Sequence, residues 1–249
     1  MHLYDWCVVV PMANEEQEFM PFISEMVRML DKLQSGTVYL VVDTVSIDRT
    51  LDMCLTLAKE DTRFIVVWAP ENRNVVDAYM RGFREAHANG HDIIIEMDAG
   101  MSHDPKAIPM FLRVLNEGNE CAFGSRFING GSMAHSSLKR RLLSRGGTLL
   151  ANMLLGTDLY DMTSGYQGFH SHVVKELLNY TLLSKAHFYQ TEVRYILRKH
   201  RFAEIPIHYQ APSPRVSQRA ITNALNVLMH YMISRFSGKP IAIERKNCE

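Results

Sequence analysis

Along the first hundred residues, short apolar runs alternate with longer segments whose apolar positions recur at helical spacing. Trp6–Val10, Thr37–Val42, Arg63–Trp68 and Asp92–Met97 are the runs, and Phe19, Phe22, Ile23, Met26, Leu30 and Leu33 mark the clearest helix between the first two. A strand buried on both faces reads as a short continuous apolar run, whereas a helix covering one face repeats its apolar residues with a period near 3.6. Strand, helix, strand, helix at this spacing predicts βαβ units and a mostly parallel sheet flanked by helices. The fourth run holds three consecutive isoleucines, Ile93 to Ile95, and leads straight into Glu96-Met97-Asp98-Ala99-Gly100-Met101-Ser102-His103-Asp104-Pro105. In open α/β sheets ligands bind outside the carboxyl ends of the strands, so Asp98 is the first candidate for chemistry.

Two other strands end in the same way. The first exits through Pro11-Met12-Ala13-Asn14-Glu15-Glu16, where Pro11 stops the ladder, Asn14 can cap the next helix and the two glutamates suit its electropositive first turn. The second exits through Asp43-Thr44-Val45-Ser46-Ile47-Asp48-Arg49-Thr50. Glu15 and Asp43 would then share one rim of the sheet, where carboxylates can accept hydrogen bonds from a base and a ribose. One such acid is unremarkable, but three strands each ending in an acid favour a site.

The later part of the chain is read from its periodicity too. Leu138, Leu142, Leu149, Leu150, Met153 and Leu154 recur near helical spacing, with Lys139, Arg140, Arg141 and Arg145 crowding the first two turns. Such a basic amphipathic helix fits either a solvated face on the core or a membrane interface. Ile205 to Tyr209 reads as a last strand, and Asn223–Phe236 as a closing helix with Leu225, Leu228, Met229, Met232, Ile233 and Phe236 on one face. The cationic end of the Val193–His200 segment reads as solvated.

Composition narrows the class without naming it. The 249 residues suffice for one large domain, and 47% hydrophobic with 22% charged residues is ordinary for a folded protein. Lysine plus arginine equals aspartate plus glutamate at 27 each, so no global field draws nucleic acid, which is not favoured as a partner. The cysteines at 7, 54, 121 and 248 show no metal-ligand spacing and read as free thiols. No apolar run approaches the length of a membrane span and no signal peptide is evident, so the expected location is cytoplasmic, with room for peripheral contact on the cytosolic membrane face.

The three strand-end segments resemble three motifs of the family 2 glycosyltransferases, which have the GT-A fold. Gly124-Ser125-Arg126-Phe127, Lys139 to Gly147, Asp161-Met162-Thr163-Ser164-Gly165-Tyr166-Gln167-Gly168-Phe169, Phe188-Tyr189-Gln190-Thr191-Glu192 and Glu204-Ile205-Pro206-Ile207 are similar to the dolichol/polyprenol-phosphate mannosyltransferase branch. The resemblance implies a Rossmann-like GT-A domain over residues 1–220 with an amphipathic helix and tail over 221–249. It implies a nucleoside-diphosphate sugar as donor, held by Pro11, Asn14, Glu15 and Asp43, with Ala99 and Gly100 beside the diphosphate. It also implies Mg2+ or Mn2+ on Asp98, which Ser102 could help to hold, since a hard cation takes oxygen ligands. A polyprenyl phosphate would be the acceptor, with Arg126, Arg140, Arg145 and Ser164 around its phosphate and Arg215 or Arg219 supplying charge over the diphosphate. Asp161 and Glu192, with Gln190 beside the latter, are the catalytic candidates should the acceptor need a base. For Asp161 and Ser164 a structural role bracing the turn at Gly165 weighs equally.

Two departures stand out. The usual Asp-x-Asp is Asp98-Ala99-Gly100, and the nucleoside motif, which usually carries two adjacent acids, reads Asp43-Thr44. These losses keep open a hydroxyl acceptor on a glycan, protein or modified nucleic-acid base, and a non-catalytic nucleotide-sugar-binding module.

Overall fold

The computed structural model describes residues 4–133, 136–210 and 217–238. Its centre is β1 (Trp6–Met12), which pairs in parallel with β2 (Thr37–Val42) on one side and β4 (Ile93–Glu96) on the other. Beyond β2 lies β3 (Phe64–Trp68), and beyond β4 come β6 (Gln167–His170), β5 (Cys121–Ser125) and β7 (Phe202–Pro206), giving the order β3-β2-β1-β4-β6-β5-β7. Only β6 runs against its neighbours. The parallel α/β architecture expected from the alternating runs is therefore present.

Period 2 sends successive residues of one strand to opposite faces, and both faces are covered. Val8, Val10, Ile93 and Ile95 pack on one side with Phe22, Met26 and Leu30 of α1 (Phe19–Leu33). Cys7, Val9, Tyr39 and Ile94 pack on the other with Tyr79 and Phe83 of α3 (Val75–Ala88). Full burial on both sides is why these strands read as continuous apolar runs. Between β2 and β3 lies α2 (Thr50–Glu60), and α4 (Ile108–Asn116) follows a 3-10 turn at Pro105–Ala107.

One expectation changes, and one left open is decided. The last strand begins at Phe202 and ends at Pro206, and beyond it His208 forms an isolated bridge with Ser132. In α5 (Leu138–Leu155) the buried face is Ser144, Thr148, Ala151 and Leu155, while Leu138, Leu142, Leu149 and Met153 point outward. Small residues at i, i+4 and i+7, Ser144, Thr148 and Ala151, let α5 lie close to the body, with Leu155 buried at its end.

After β6 come α6 (Ser171–Leu177) and α7 (Tyr189–Ile196), and the chain closes with α8 (Gln218–Ser237), which starts three residues before the expected boundary at 221. Its apolar stripe is divided. Leu228 is buried, whereas Leu225, Ile233 and Phe236 are exposed. Cys7, Cys54 and Cys121 are free and buried; Cys248, Arg215 and residues 239–249 lie outside the described residues. No helix among the described residues is long and apolar enough to cross a membrane.

Candidate active site

The carboxyl ends of β1, β4 and β5 and the turn entering β6 open onto one cleft of about 510 Å³. Pro11, Glu15, Asp98, Ala99, Ser102, Arg126, Arg140, Ser164 and Gln190 all line it, so nine of the residues expected to act together do meet. Ala13, His103, Gly165, His187 and Tyr209 line it as well.

Asp98 lies just past β4, and its side chain is 35% exposed. Its Oδ1 accepts a 2.6 Å hydrogen bond from the Tyr79 hydroxyl of α3, which fixes the carboxylate and leaves Oδ2 for a ligand. The Asp98 N–H donates to His103 Nδ1 at 3.0 Å, so the ring proton belongs on Nε2, 3.8 Å from Asp98 Oδ2. Burial pushes the His103 pKa down, and the ring stacks on Tyr166, so it stands as a neutral donor beside the carboxylate.

Glu15 reaches the same cleft from the turn after β1. Burial first, then the charges of Asp98, Glu18 and Asp48, push its carboxyl up to about 7. The turn is held from the neighbouring loop. Asn14, at φ 58, bonds Val45 O and Ile47 N through its side chain, and Asp43 accepts from Val45 N at 2.9 Å. Asn14 and Asp43 thus shape the rim without lining the cleft.

Arg126 and Asp161 form a buried pair. Nε and Nη2 of Arg126 donate to the two carboxylate oxygens at 2.7 and 2.8 Å, and the N–H groups of Arg126 and Thr163 add bonds of 3.0 Å each. Burial pushes the Asp161 carboxyl up, but Arg126 outweighs it and holds the group below its ordinary value. Glu204 of β7 braces the pair by accepting from the N–H groups of Tyr160 and Asp161. Glu192 is equally closed: it accepts from Leu183 N, Ser184 N and the Tyr231 hydroxyl, so it latches α8 to the start of α7. Neither acid presents a free oxygen to the cleft, and the base role expected for them does not fit their surroundings.

Gln190 does belong. Oriented so that its nitrogen donates to His187 O at 2.9 Å and Thr163 O at 3.3 Å, its amide closes the cleft floor. A side chain at Gly165 would run into it. Arg145 is exposed on α5 over the Phe127 ring at 5.2 Å, and Arg219 is exposed in the first turn of α8; neither lines the cleft.

Beneath the site lies a polar network that the sequence did not disclose. Arg194 is fully buried, contrary to the solvated helix end expected there, and donates to Gln167 Oε1, Ser164 O and Gly124 O. It is needed because β5, β6 and the Ser164 turn leave acceptors inside the core. Gln167 and the Tyr189 hydroxyl both donate to Glu96 Oε1, and burial pushes Glu96 up to about 8. Because this folded-state pKa lies above the ordinary carboxylate value, the contribution to stability is full at acid pH and is lost as pH rises through about 8. Glu96→Gln, which mimics the neutral acid, should flatten that decline in urea unfolding measured from pH 5 to pH 9; an unchanged slope would count against a buried neutral Glu96.

A second cavity of about 430 Å³ adjoins the cleft and is lined mainly by apolar side chains of α5 and α8, among them Leu142, Leu143, Leu225 and Leu228. Arg140, Thr163, His187 and Ala220 line both. Arg140 therefore stands at the seam. Its Nε has no hydrogen-bond partner among the described residues, and burial, opposed by Tyr209 and aided by the charge of Arg126, lowers its pKa.

Residues 7–178 match the model of the family described as Glycosyl transferase family 2. The chain is 30% identical over 203 residues to an undecaprenyl-phosphate mannosyltransferase of Micrococcus luteus, covering 81% of this chain and 82% of that protein. It is 26% identical over 219 residues to a polyprenol monophosphomannose synthase of Mycolicibacterium smegmatis, covering 87% and 81%. Among solved structures, glucosyl-3-phosphoglycerate synthase from Mycobacterium tuberculosis in complex with Mn2+, UDP and phosphoglyceric acid superposes with a TM-score of 0.67 at 17% identity, covering 96% of this chain and 80% of that one, a likeness of fold.

Proposed function

This chain belongs to glycosyl transferase family 2, and from that premise we propose that it moves a sugar from a nucleoside diphosphate to the phosphate of a polyprenyl phosphate, with inversion. The observation that carries the acceptor is the half-buried Arg140, whose buried Nε has no hydrogen-bond partner among the described residues, at the seam between a polar cleft and an apolar groove. A buried N–H without a partner is costly, and an anion relieves it, most effectively through the paired donors of a guanidinium. With Arg126 in the same cleft, an acceptor phosphate would lie at the seam and its isoprenoid tail between α5 and α8. The donor would occupy the β1 and β4 side, with its nucleoside near Pro11 and Ala13 and its diphosphate toward Asp98.

An oxygen of the acceptor phosphate forms the new bond to the anomeric carbon while the bond to the donor's diphosphate oxygen breaks, and the nucleoside diphosphate leaves with the bonding pair. A phosphate monoester, with its second ionisation near ~6, already carries the attacking charge, so no side chain has to remove a proton. That suits a site whose two candidate bases, Asp161 and Glu192, are committed to Arg126 and to the α8 latch. Their roles are positional. A bound Mg2+ or Mn2+ ion would neutralise charge building on the departing diphosphate. The donor set fits such an ion: Asp98 Oδ2, the Ser102 hydroxyl and the Glu15 carboxylate are hard oxygens on one cleft, and the mutual repulsion of Glu15 and Asp98 is what a cation would relieve. The outward leucines of α5, beside Lys139 and Arg141, would rest at the surface of the membrane that holds the acceptor.

The test is formation of lipid-extractable labelled sugar from a panel of nucleoside diphosphate sugars, polyprenyl phosphate and Mg2+ or Mn2+. Mannose donors come first because both curated relatives are named for mannosyl transfer. No lipid-linked product with any donor would remove the acceptor assignment. Leu225→Asp should lower the product by about tenfold or more, because an unpaired charge in an apolar groove costs on the order of several kcal/mol, while nucleotide binding stays intact. Equal loss of both would point to a folding defect instead.

A further inference from the structure

We propose that Glu15 supplies the second carboxylate missing from Asp98-Ala99-Gly100, so that the divalent cation is held between the turns after β1 and β4 rather than by two acids of one loop. The inference rests on the reading of a cation-assisted nucleoside-diphosphate donor. Its ground is the space above Gly100. A Cβ built on Gly100 would lie 2.9 Å from Glu15 Oε2 and 3.7 Å from the carboxyl carbon. The Glu15 carboxylate therefore fills the volume into which a side chain at position 100 would project.

The placement of Glu15 is enforced by its backbone. Its N–H donates to Thr50 Oγ1 at 2.8 Å, its carbonyl accepts from Glu18 N at 3.1 Å, and the preceding Asn14 is tied to the 45–47 loop on three sides. A main chain anchored in this way aims the side chain across the cleft toward the β4 turn. There Asp98, with Oδ1 already committed to Tyr79, has Oδ2 to offer. One carboxylate from each of two strand ends gives a hard cation two oxygen ligands, with the remaining positions open to the donor's diphosphate, water and Ser102. The reach of Glu15 into the space above Gly100 thus puts a carboxylate where this loop lacks one. A ribose-binding Glu15 would explain the residue's place on the rim but not its position over Gly100.

The experiment is Mn2+ binding to the full chain with UDP or GDP, read by calorimetry and by the electron paramagnetic resonance signal of free Mn2+. Nucleoside diphosphate binding in EDTA is measured alongside. Glu15→Gln is expected to weaken Mn2+ at least about tenfold, the loss that follows removal of even an outer partner of a metal ligand, while binding in EDTA is unchanged. The double variant Glu15→Ala/Gly100→Asp should recover most of the Mn2+ affinity, because alanine vacates the space above position 100, and aspartate tolerates the left-handed backbone there at φ 68 and restores an acid to the loop. Gly100→Asp alone should gain little, since Glu15 is already there. Unchanged Mn2+ affinity in Glu15→Gln overturns the proposal. So does an equal loss of nucleotide with and without Mn2+, which would make Glu15 a ribose partner. If the wild type binds nucleotide but no Mn2+, the proposal falls and the donor cleft stands; if it binds neither, the donor reading falls with it.

Discussion

Asp98→Asn should reduce sugar transfer by about 10³-fold, the scale on which removal of one preorganised electrostatic partner acts on a developing charge. Asparagine is the informative replacement because its carbonyl oxygen can still accept from the Tyr79 hydroxyl, so the buried phenol keeps its partner and the fold is not disturbed. What is removed is one negative charge in a cleft that also holds Glu15, Arg126 and Arg140. The loss should fall on kcat and on metal affinity, with nucleotide binding in EDTA nearly unchanged. Tyr79→Phe tests the support separately: Asp98 keeps its charge and loses its tether, so the loss should be smaller, and Tyr79→Phe should add little to Asp98→Asn. Steady-state transfer with a saturating donor reads both. Near-normal turnover in Asp98→Asn would remove Asp98 from the reaction.

Asp98 was legible in the sequence because everything that marks it is local. Three isoleucines identify a strand buried on both faces, and the acid follows within three residues of the last of them. Tyr79 was not legible. It lies 19 residues upstream on a helix whose apolar spacing assigns it to the core, where it does pack, and only the tertiary fold brings its hydroxyl to Asp98. The same distinction separates Glu15 from Glu192. Glu15 follows a strand and opens onto the cleft, whereas Glu192 looks like a candidate acid in sequence and proves to be saturated by partners up to 39 residues away. The reversal of β6 and the inward turn of Arg194 were hidden for a related reason. A short strand such as Gln167–His170 carries no directional signal, and the acceptors that Arg194 satisfies arise only when β5, β6 and the Ser164 turn come together. In α5 helical spacing defined an apolar face and left its direction open between core and membrane interface; the small residues on the opposite side decide which face packs.

Asp161→Ala should destabilise the fold by about 3–5 kcal/mol, the range for removing one partner of a buried ion pair. The aspartate is wholly buried and Arg126 is 5% exposed, so the mutation strands a guanidinium, together with the N–H groups of Arg126 and Thr163, where little water can replace the lost acceptor. Urea unfolding at pH 7 measures it, and a change below about 1 kcal/mol would mean that the pair is not held as described. Replacing both partners, Arg126→Met with Asp161→Leu, should recover part of the loss, because two apolar side chains of similar volume remove the stranded charge. Recovery would stop short of wild type, since the two N–H groups would still lack an acceptor. Transfer should not recover at all. Arg126 lines the cleft beside Arg140, and with methionine in its place the acceptor phosphate would meet one guanidinium instead of two. Restored stability without restored transfer would separate the two duties of Arg126, whereas transfer that returned with stability would leave Arg140 alone to hold the acceptor phosphate.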